Sequence, residues 1–229
     1  MTNNIANAAD YWEQVFSSRP WGKYPNEGLV RFVSRAFHGI ADRGSLRMLE
    51  IGCGPGPNIW FLAREGFRIA GIDCSPTAIS LAKKRLVDEK LPCEPPGVDL
   101  RIGSFCELPW PDGEFDAIVD IEALYANTIR DIKRGVAEIW RTLKPGGVFF
   151  GTMFGVSTTG SGSGEAIEPG TRRAPTEGPC AGNQVAHFFD HAELGELFAD
   201  FGQCTIDRVH RTDAGGQVDI VEWLVQARK

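Results

Sequence analysis

Three glycines at alternate positions separate an apolar run from a helical pattern early in the chain. Residues 48–51 are mostly apolar, Gly52, Gly54 and Gly56 follow, and residues 59–63 repeat apolar side chains at helical spacing. This order predicts a strand, a tight turn and a helix. Such a unit brings bare backbone against a nucleotide-like ligand, because glycine has no Cβ and tolerates positive φ. The chain is therefore expected to adopt an α/β fold with a ligand site at this turn.

The residues around the turn narrow the choice of ligand. In the dinucleotide-binding pattern G-x-G-x-x-G, a third glycine packs the helix against the strand, but Pro57 stands at that position here. The strand also carries a carboxylate, Glu50. A negative charge beside the turn favours a ligand that bears a cation over one that bears phosphates.

The combined pattern E-x-G-x-G-x-G, read from Glu50 to Gly56, resembles motif I of the class I S-adenosylmethionine-dependent methyltransferases. The resemblance implies that Glu50 and the glycine turn border the methionine part of S-adenosyl-L-methionine. It also implies methyl transfer to an acceptor, with S-adenosyl-L-homocysteine as the product. Later landmarks extend the resemblance over about residues 48–150, namely the approach to a strand that begins at Leu108 and the L-K-P-G-G turn at Leu143.

Composition predicts a soluble globular chain with one domain over residues 1–229. The sequence is 42% hydrophobic and 24% charged, with a net charge of −6 and a pI near 5.3. This acidic balance argues against a nucleic-acid partner. We expect neither a membrane span nor a signal peptide. The six cysteines are scattered, which predicts reduced thiols in the cytoplasm and no metal site.

Residues 1–45 are expected to form an N-terminal helical cap. Two amphipathic helical patterns, at residues 11–16 and 29–37, are interrupted by a segment that contains Trp21 and Tyr24. One interpretation is a turn whose rings pack on the helix. The other is a lid, because related methyltransferases place aromatic rings over the sulfonium and a ring face attracts a cation.

An acidic residue ends the second predicted strand, residues 67–73. Asp73 lies 21 positions after Gly52, close to the spacing at which an acid reaches a ribose in βαβ nucleotide sites. A capping role for this carboxylate is the alternative. Ser75 and Pro76 then predict the N-cap and first turn of the next helix.

The third and fourth strands, at residues 98–102 and 115–120, complete the predicted cofactor-binding core at residues 46–154. The family usually carries an acid for the adenine amino group where this chain has Ser104, so that contact is lost or moved. Because open α/β sheets bind ligands outside the carboxyl ends of their strands, the residues at these ends are expected to meet. The predicted cofactor contacts are Trp21, Tyr24, Glu50, Gly52, Cys53, Gly54, Gly56, Asn58, Asp73, Cys74, Ser75, Ser104, Phe105, Asp120, Ile121 and Glu122.

The remaining chain predicts the rest of a doubly wound fold. A helix at 129–143, a strand at 148–154 and a flexible flap at 155–183 precede a C-terminal helix and hairpin at 184–229. The flap is rich in glycine and serine, and its Arg172 and Arg173 either read an anionic substrate or are solvated. The expected whole is a seven-stranded, mostly parallel sheet with an antiparallel C-terminal hairpin and helices on both faces.

Methyl transfer by in-line displacement to a small-molecule acceptor needs mainly positioning, so catalytic residues leave a weak signal. His187 and Tyr125 are the candidates, and a structural histidine is the competing interpretation of His187. An NAD-type oxidoreductase and a non-catalytic binding or scaffold module of the same fold remain alternatives. An aminopropyltransferase and a cysteine-based arsenic methyltransferase have less support.

Overall fold

The computed structural model describes residues 8–95 and 97–229, and it is built around one seven-stranded sheet. The first seven residues of the predicted cap, and Pro96 of the proline-rich connector, lie outside the described residues. The strands are β1 (Arg47–Ile51), β2 (Arg68–Asp73), β3 (Val98–Ile102), β4 (Phe115–Ile121), β5 (Leu143–Phe154), β6 (Glu165–Glu168), β7 (Thr171–Arg173), β8 (Val185–His187), β9 (Gln203–Asp213) and β10 (Val218–Arg228). The helices are α1 (Ala8–Ser18), α2 (Glu27–Ala36), α3 (Pro57–Arg64), α4 (Pro76–Asp88), α5 (Ile129–Thr142) and α6 (His191–Leu197).

The strand order of the main sheet is β3-β2-β1-β4-β5-β10-β9. The first five strands are parallel, and β10 and β9 are antiparallel additions beside β5. The chain builds outward from β1 to β3 and then returns to place β4 on the other side of β1. This reversal is a topological switch point, and a crevice opens there at the carboxyl ends of the strands. The predicted fold class is confirmed.

Alternating side chains of the central strands pack into two separate cores. Met48 and Phe150 join one core with α2, α3 and α4, while their neighbours Leu49 and Phe149 join the other with α5 and α6. Because successive side chains on a strand point to opposite faces, a strand buried on both faces reads as a continuous apolar run. The sheet is therefore covered by helices on both sides, which leaves its carboxyl edge as the opening for a ligand.

The start of α4 follows the predicted chemistry, whereas α5 begins without a local side-chain cap. Ser75 Oγ accepts the Ala78 N–H at 3.0 Å, as an N-cap serine should. Thr128, the N-cap residue of α5, donates its hydroxyl to Asp131 at 3.2 Å and caps no backbone N–H. The backbone N–H of Ile129 donates at 2.7 Å to Glu168, a residue 39 positions away on β6. A distant carboxylate thus caps the first turn of α5.

The 155–183 segment contains ordered secondary structure, in contrast to the loop expected from its composition. Strands β6 and β7 form a hairpin that continues onto β8, giving a small antiparallel sheet. Thr158 anchors the segment to β10, because its hydroxyl donates to the Val221 carbonyl at 2.9 Å and accepts the Val221 N–H at 3.1 Å. Glycine and serine here serve tight turns between short strands. The flexibility of this segment stays a prediction.

The L-K-P-G-G sequence forms a bulge inside the β4–β5 pairing. Phe115 pairs with Leu143, yet Ala117 pairs with Val148, so the four residues 144–147 of β5 lie opposite the single residue Asp116 of β4. Gly146 has a φ of +78° and its N–H donates to the Lys229 carbonyl at 2.8 Å. The helix-ending turn that was predicted is therefore continuous with β5. No helix of the described chain is both long and apolar enough to cross a membrane.

Candidate functional site

A cavity of about 850 Å³ lies at the carboxyl edge of the sheet. Its floor comes from the ends of β1, β2 and β4, its roof from α1 and the aromatic segment after it, and its far end from β9 and the 155–183 segment. This volume is in the range of small-molecule sites, roughly 300–1,000 Å³. The cavity therefore coincides with the edge where the sequence predicted a ligand.

The glycine turn and Asp73 are bound together at the near end of the cavity. Asp73 Oδ2 accepts the Gly54 N–H at 2.8 Å, and Oδ1 accepts the Ser75 N–H at 2.9 Å. Gly52 has a φ of +59°, and a Cβ on it would lie 2.3 Å from the Cβ of Ala123. Burial raises the pKa of Asp73 despite the two N–H groups that lower it. The acid that was expected to bind a ribose thus also holds the turn in shape.

Glu50 projects from the end of β1 into the same end of the cavity. Its Oε1 accepts Asn58 Nδ2 at 2.7 Å, while Oε2 is buried and has no hydrogen-bond partner in residues 8–95 or 97–229. Asn58 is held in turn by the Asn26 N–H, which donates to its Oδ1 at 2.9 Å. Burial raises the pKa of Glu50 to about 8, and the nearby Asp120 and Asp73 add to the shift. A buried acceptor without a partner marks the place where a cationic or hydrogen-bonding ligand group fits.

Asp120 supports the loop after β4 and stands behind the cavity wall. Its Oδ1 accepts the N–H groups of Ala123 at 2.9 Å and Leu124 at 3.1 Å. Burial raises the pKa of Asp120 to about 7, although these two hydrogen bonds lower it. Asp120 is not among the residues that line the cavity, while its Oδ2 is buried without a hydrogen-bond partner among the described residues, so its contact with the cofactor stays a prediction.

Aromatic rings from α1 and the following segment roof the cavity. Phe16 and Trp21 meet edge to face with ring centroids 5.1 Å apart, and Trp12 stacks on Phe16 at 5.6 Å. All three rings line the cavity, as does Tyr24, which is 79% exposed. Trp21 therefore combines the two roles that the sequence left open, since it packs on the helix and also faces the ligand space.

The wall near β3 carries the departures from the family pattern. Ser104 Oγ accepts the Cys106 N–H at 3.1 Å, which forms a local turn. Phe105 packs against α5 so closely that a Cβ on Gly135 would lie 2.7 Å from its ring. Cys74 also lines the cavity, and burial raises the pKa of its thiol to about 12. These side chains offer a flat, mostly apolar surface with hydroxyl and thiol groups.

The far end of the cavity has a different, more polar character. Asn183 Nδ2 donates to the Tyr125 hydroxyl at 2.9 Å, and both residues line the space. Glu122 and Arg211 face it as well. Burial raises the pKa of Tyr125, so this phenol stays neutral. Tyr125 thus lines the cavity, and its predicted catalytic role stays a prediction.

Several predicted site residues lie outside the lining that the described chain forms. Gly56 packs α3 against α4, because a Cβ there would lie 2.8 Å from the Cβ of Ala82. Ser75 is the buried N-cap of α4. His187 is fully buried, with Nδ1 at 2.6 Å from Thr171 Oγ1 and Nε2 at 3.0 Å from Glu193 Oε2. This geometry does not support the catalytic assignment of His187, which stays a prediction, because protein groups contact both ring nitrogens and the residue is not among those that line the cavity.

The two arginines of the 155–183 segment, Arg172 and Arg173, are not among the residues that line the cavity. Arg172 donates through Nε to the Ser161 carbonyl at 2.8 Å, and Arg173 pairs with Glu165 at 2.8 Å. The remaining predicted contacts do line the cavity; they are Trp21, Tyr24, Glu50, Gly52, Cys53, Gly54, Asn58, Asp73, Cys74, Ser104, Phe105, Ile121 and Glu122. Most of the predicted set is thus brought together by the fold.

Sequence reasoning missed several residues of the cavity. Trp12 and Phe16 were recognised only as helix residues, although their apolar stripe was available as a signal. Asn26, Asn183 and Arg211 carry no recognisable pattern, because they reach the site through loop geometry and strand pairing. Among the described residues, no group of three or more histidine, cysteine, aspartate or glutamate side chains is arranged to hold a metal ion.

Comparison with known proteins points to one family. A family profile described as a methyltransferase domain matches residues 49–151. An uncharacterised methyltransferase of Synechocystis sp. is 30% identical over 122 residues, which cover 53% of each chain. The phthiotriol/phenolphthiotriol dimycocerosates methyltransferase of Mycobacterium tuberculosis is 32% identical over 127 residues, covering 55% of this chain and 43% of that protein. The chain therefore matches about half the length of these curated relatives.

A solved structure extends the likeness beyond the matched core. A methyltransferase from Methanosarcina mazei, described as dependent on S-adenosylmethionine, superposes with a TM-score of 0.65 at 25% sequence identity. The superposition covers 80% of this chain and 92% of that one. The structural similarity thus extends over a larger share of the chain than residues 49–151, which the family profile matches.

Proposed function

Since the chain belongs to the class I S-adenosylmethionine-dependent methyltransferases, we propose that it transfers a methyl group from this cofactor to a small-molecule acceptor. The observation that carries the proposal is the buried Glu50 carboxylate, whose unpartnered Oε2 faces a cavity beside the glycine turn. A carboxylate in that position suits the positively charged end of the cofactor, which bears an ammonium and a sulfonium group.

The residues present fit the cofactor at three places. Glu50 and Asn58 offer an acceptor and a donor for the amino acid end. Asp73 keeps lone pairs for the ribose hydroxyls, because each of its oxygens accepts one backbone N–H and has room for another bond. Phe105 offers an apolar face for the adenine ring, and Ser104 offers a hydroxyl at its edge. These contacts support the assignment on chemistry, and the structure holds no cofactor.

The chain contributes positioning and the exclusion of water. When bound, the cofactor supplies an electrophilic methyl group on sulfur. The carboxylates and the glycine turn hold its two ends, which fixes the direction of the methyl group, and in-line alignment can supply several kcal/mol of barrier lowering. Trp12, Phe16 and Trp21 cover the cavity, and their ring faces attract a cation. No general base is needed for the cofactor itself.

The acceptor is proposed to be a small molecule rather than a nucleic acid. Helix α1 closes the cavity from above, since Tyr11 donates to the Gly182 carbonyl at 2.9 Å and Glu13 accepts hydrogen bonds from Ser75 and Thr77. A covered cavity suits a compact acceptor, and the net charge of −6 is opposite to that of a typical nucleic-acid binder. All six cysteines, which lie in the described part of the chain, are free thiols, in keeping with a cytoplasmic protein.

Calorimetry with S-adenosyl-L-homocysteine and NAD separates this function from an oxidoreductase of similar fold. We expect heat with the former and none with the latter, because Pro57 stands where the dinucleotide-binding pattern requires its third glycine. Glu50→Gln should weaken S-adenosyl-L-homocysteine binding at least tenfold, while Glu196→Gln, an exposed substitution on α6, should not change it. Tight NAD binding, or no heat with S-adenosyl-L-homocysteine, contradicts the proposal. Formation of S-adenosyl-L-homocysteine during turnover with an acceptor panel is then the test against a non-catalytic module.

A further inference from the structure

Two glutamates meet at the polar far end of the cavity. Glu122 follows β4 and lines the cavity, and Glu222 is a buried residue of β10 that stands behind it. Their carboxyl groups lie within hydrogen-bonding reach of each other, which raises the pKa of Glu122. Glu122 holds a φ of +59°, a conformation that non-glycine residues adopt rarely and at some cost in energy. The backbone is therefore bent so that this carboxyl group reaches both the cavity and its partner.

A hydrogen bond between two carboxyl groups requires one proton, because an ionised carboxylate has only acceptors. Burial raises the pKa of Glu122 to about 7, and the adjacent Glu222 carboxyl raises it further. Arg211 opposes the shift; its Nη1 lies 3.4 Å from Glu222 Oε2 and its charge lowers the pKa of Glu122. The Arg211 guanidinium thus faces the carboxyl groups of Glu122 and Glu222, and Glu122 takes up or releases a proton near neutral pH.

Three further titratable groups, Asp120, Tyr125 and Cys180, lie close to Glu122. Asp120, which ends β4, raises the pKa of Glu122. The Tyr125 phenol and the Cys180 thiol of the 155–183 segment lie close enough to feel the charge of Glu122, and burial keeps both neutral. Glu122 is therefore the group on this wall whose charge changes near neutral pH while it faces the cavity.

The surroundings indicate what the carboxyl group meets. Phe154 and Tyr125 contact edge to face with ring centroids 4.9 Å apart, and both line the cavity next to it. Pro179 and Ala181 add apolar surface from the 155–183 segment. A molecule in this chamber is thus bounded by aromatic and apolar side chains with one acidic group at its end, which suits an apolar body that carries a hydrogen-bond donor.

We propose that Glu122, paired with Glu222, is the general base of this site and that the acceptor is an apolar small molecule with a neutral O–H or N–H group. The inference rests on the proposed methyl transfer. For a hydroxyl acceptor, the O–H proton passes to the Glu122 carboxylate as the oxygen lone pair forms a bond to the methyl carbon. The carbon–sulfur bond breaks with its electron pair retained by sulfur, so that charge and atoms balance. Glu222 and Arg211 are positioning residues that set the pH at which the Glu122 carboxylate is free to accept a proton.

Phenol and anisole are suitable probes, because they differ only in the presence of the donor proton. Phenol stays neutral up to about pH 9, since its pKa is near 10 like that of tyrosine, so any pH effect on its binding belongs to the protein. Dissociation constants would be measured by saturation-transfer NMR on the protein saturated with S-adenosyl-L-homocysteine. Phenol binding should strengthen about tenfold from pH 6 to pH 8, in proportion to the ionised fraction of a group that titrates near 7. Anisole binding should be weaker and flat.

Two variants test whether the pH effect on phenol binding arises from Glu122 and its partner Glu222. Glu122→Gln should bind phenol weakly with no pH dependence, and Glu222→Gln should keep the dependence but move its midpoint to lower pH. Glu196→Gln is the matched control and should follow the unchanged protein. The proposal is overturned if Glu122→Gln retains the pH profile, or if anisole binds as tightly as phenol.

A direct measurement covers the case in which a variant fails to fold. In the unchanged protein, the NMR chemical shift of the Glu122 side-chain carboxyl carbon should change with pH around neutrality. The same chemical shift should change on addition of phenol but not of anisole. Absence of these changes overturns the inference. Calorimetry with S-adenosyl-L-homocysteine tests the proposed function separately. Loss of that heat refutes methyl transfer, whereas normal heat with a flat phenol profile refutes only the role of Glu122.

Discussion

The Asp73 carboxylate accepts a hydrogen bond from the Gly54 N–H at 2.8 Å, which joins the end of β2 to the turn after β1. The same carboxylate accepts the Ser75 N–H at 2.9 Å, at the start of α4. One buried side chain thus shapes two of the loops at the cavity. Its role in ligand binding and its role in holding the turn cannot be removed independently by deleting the side chain.

Asp73→Ala should therefore lower both cofactor affinity and stability. We expect a loss of about 1–3 kcal/mol in the free energy of unfolding, because the N–H groups of Gly54 and Ser75 are left without an acceptor. Binding of S-adenosyl-L-homocysteine should weaken at least tenfold in calorimetry. Asp88→Ala, at the exposed end of α4, is the control and should alter neither quantity. Unchanged affinity in Asp73→Ala would remove the ribose role.

Gly52 is expected to tolerate no side chain, for two reasons that a matched variant can separate. Gly52 and Gly113 both have positive φ, at +59° and +64°, but only the former has a neighbour where a Cβ would lie. Gly113→Ala should lose about 1–2 kcal/mol of unfolding free energy through conformational strain. Gly52→Ala should lose clearly more, because its Cβ would meet Ala123 at 2.3 Å. Equal losses in chemical denaturation would show that the close approach is relieved easily.

Stability of the ligand-free protein should fall as the pH rises from about 5 to 8. Burial raises the pKa of Glu50 to about 8, so the folded state holds a proton that the unfolded chain releases above about pH 4.5. The unfolding free energy decreases with pH wherever the folded state binds more protons, and the fall can amount to several kcal/mol. Glu50→Gln should flatten the profile without abolishing it, since the pKa values of Asp73 and Asp120 are also raised. An unchanged slope in denaturation at several pH values would contradict the burial of an ionisable Glu50.

His187 is expected to matter for stability and not for cofactor binding. His187→Ala should lower the unfolding free energy by about 2–5 kcal/mol, because it leaves a buried void and removes the partners of Thr171 and Glu193. The control His210→Ala changes a half-exposed histidine on β9 and should stay within about 0.5 kcal/mol. Thermal unfolding and calorimetry report the two properties. A loss of cofactor affinity in a folded His187→Ala would restore a functional role.

Local patterns were enough to predict the order of the core elements. Ser75 and Pro76 marked the start of α4, and the alternating strands at the carboxyl end of the chain marked β9 and β10. Such signals depend on neighbours within a few positions, where chain geometry is the same in any fold. The environment of His187 could not be predicted in this way, because its hydrogen-bond partners are Thr171 and Glu193, which no local rule connects to it.

The sequence by itself determined the glycine turn, the acids at the ends of β1, β2 and β4, and the identity of the cofactor class. These follow from short-range chemistry, since a strand that ends in glycines next to Glu50 is typical of a ligand site at a sheet edge. Only the tertiary structure decided that Glu122 meets Glu222, that Asp120 serves a loop and that α1 covers the cavity. The physical reason is that strand pairing and packing bring together groups separated by 100 residues or more, and burial then alters their protonation.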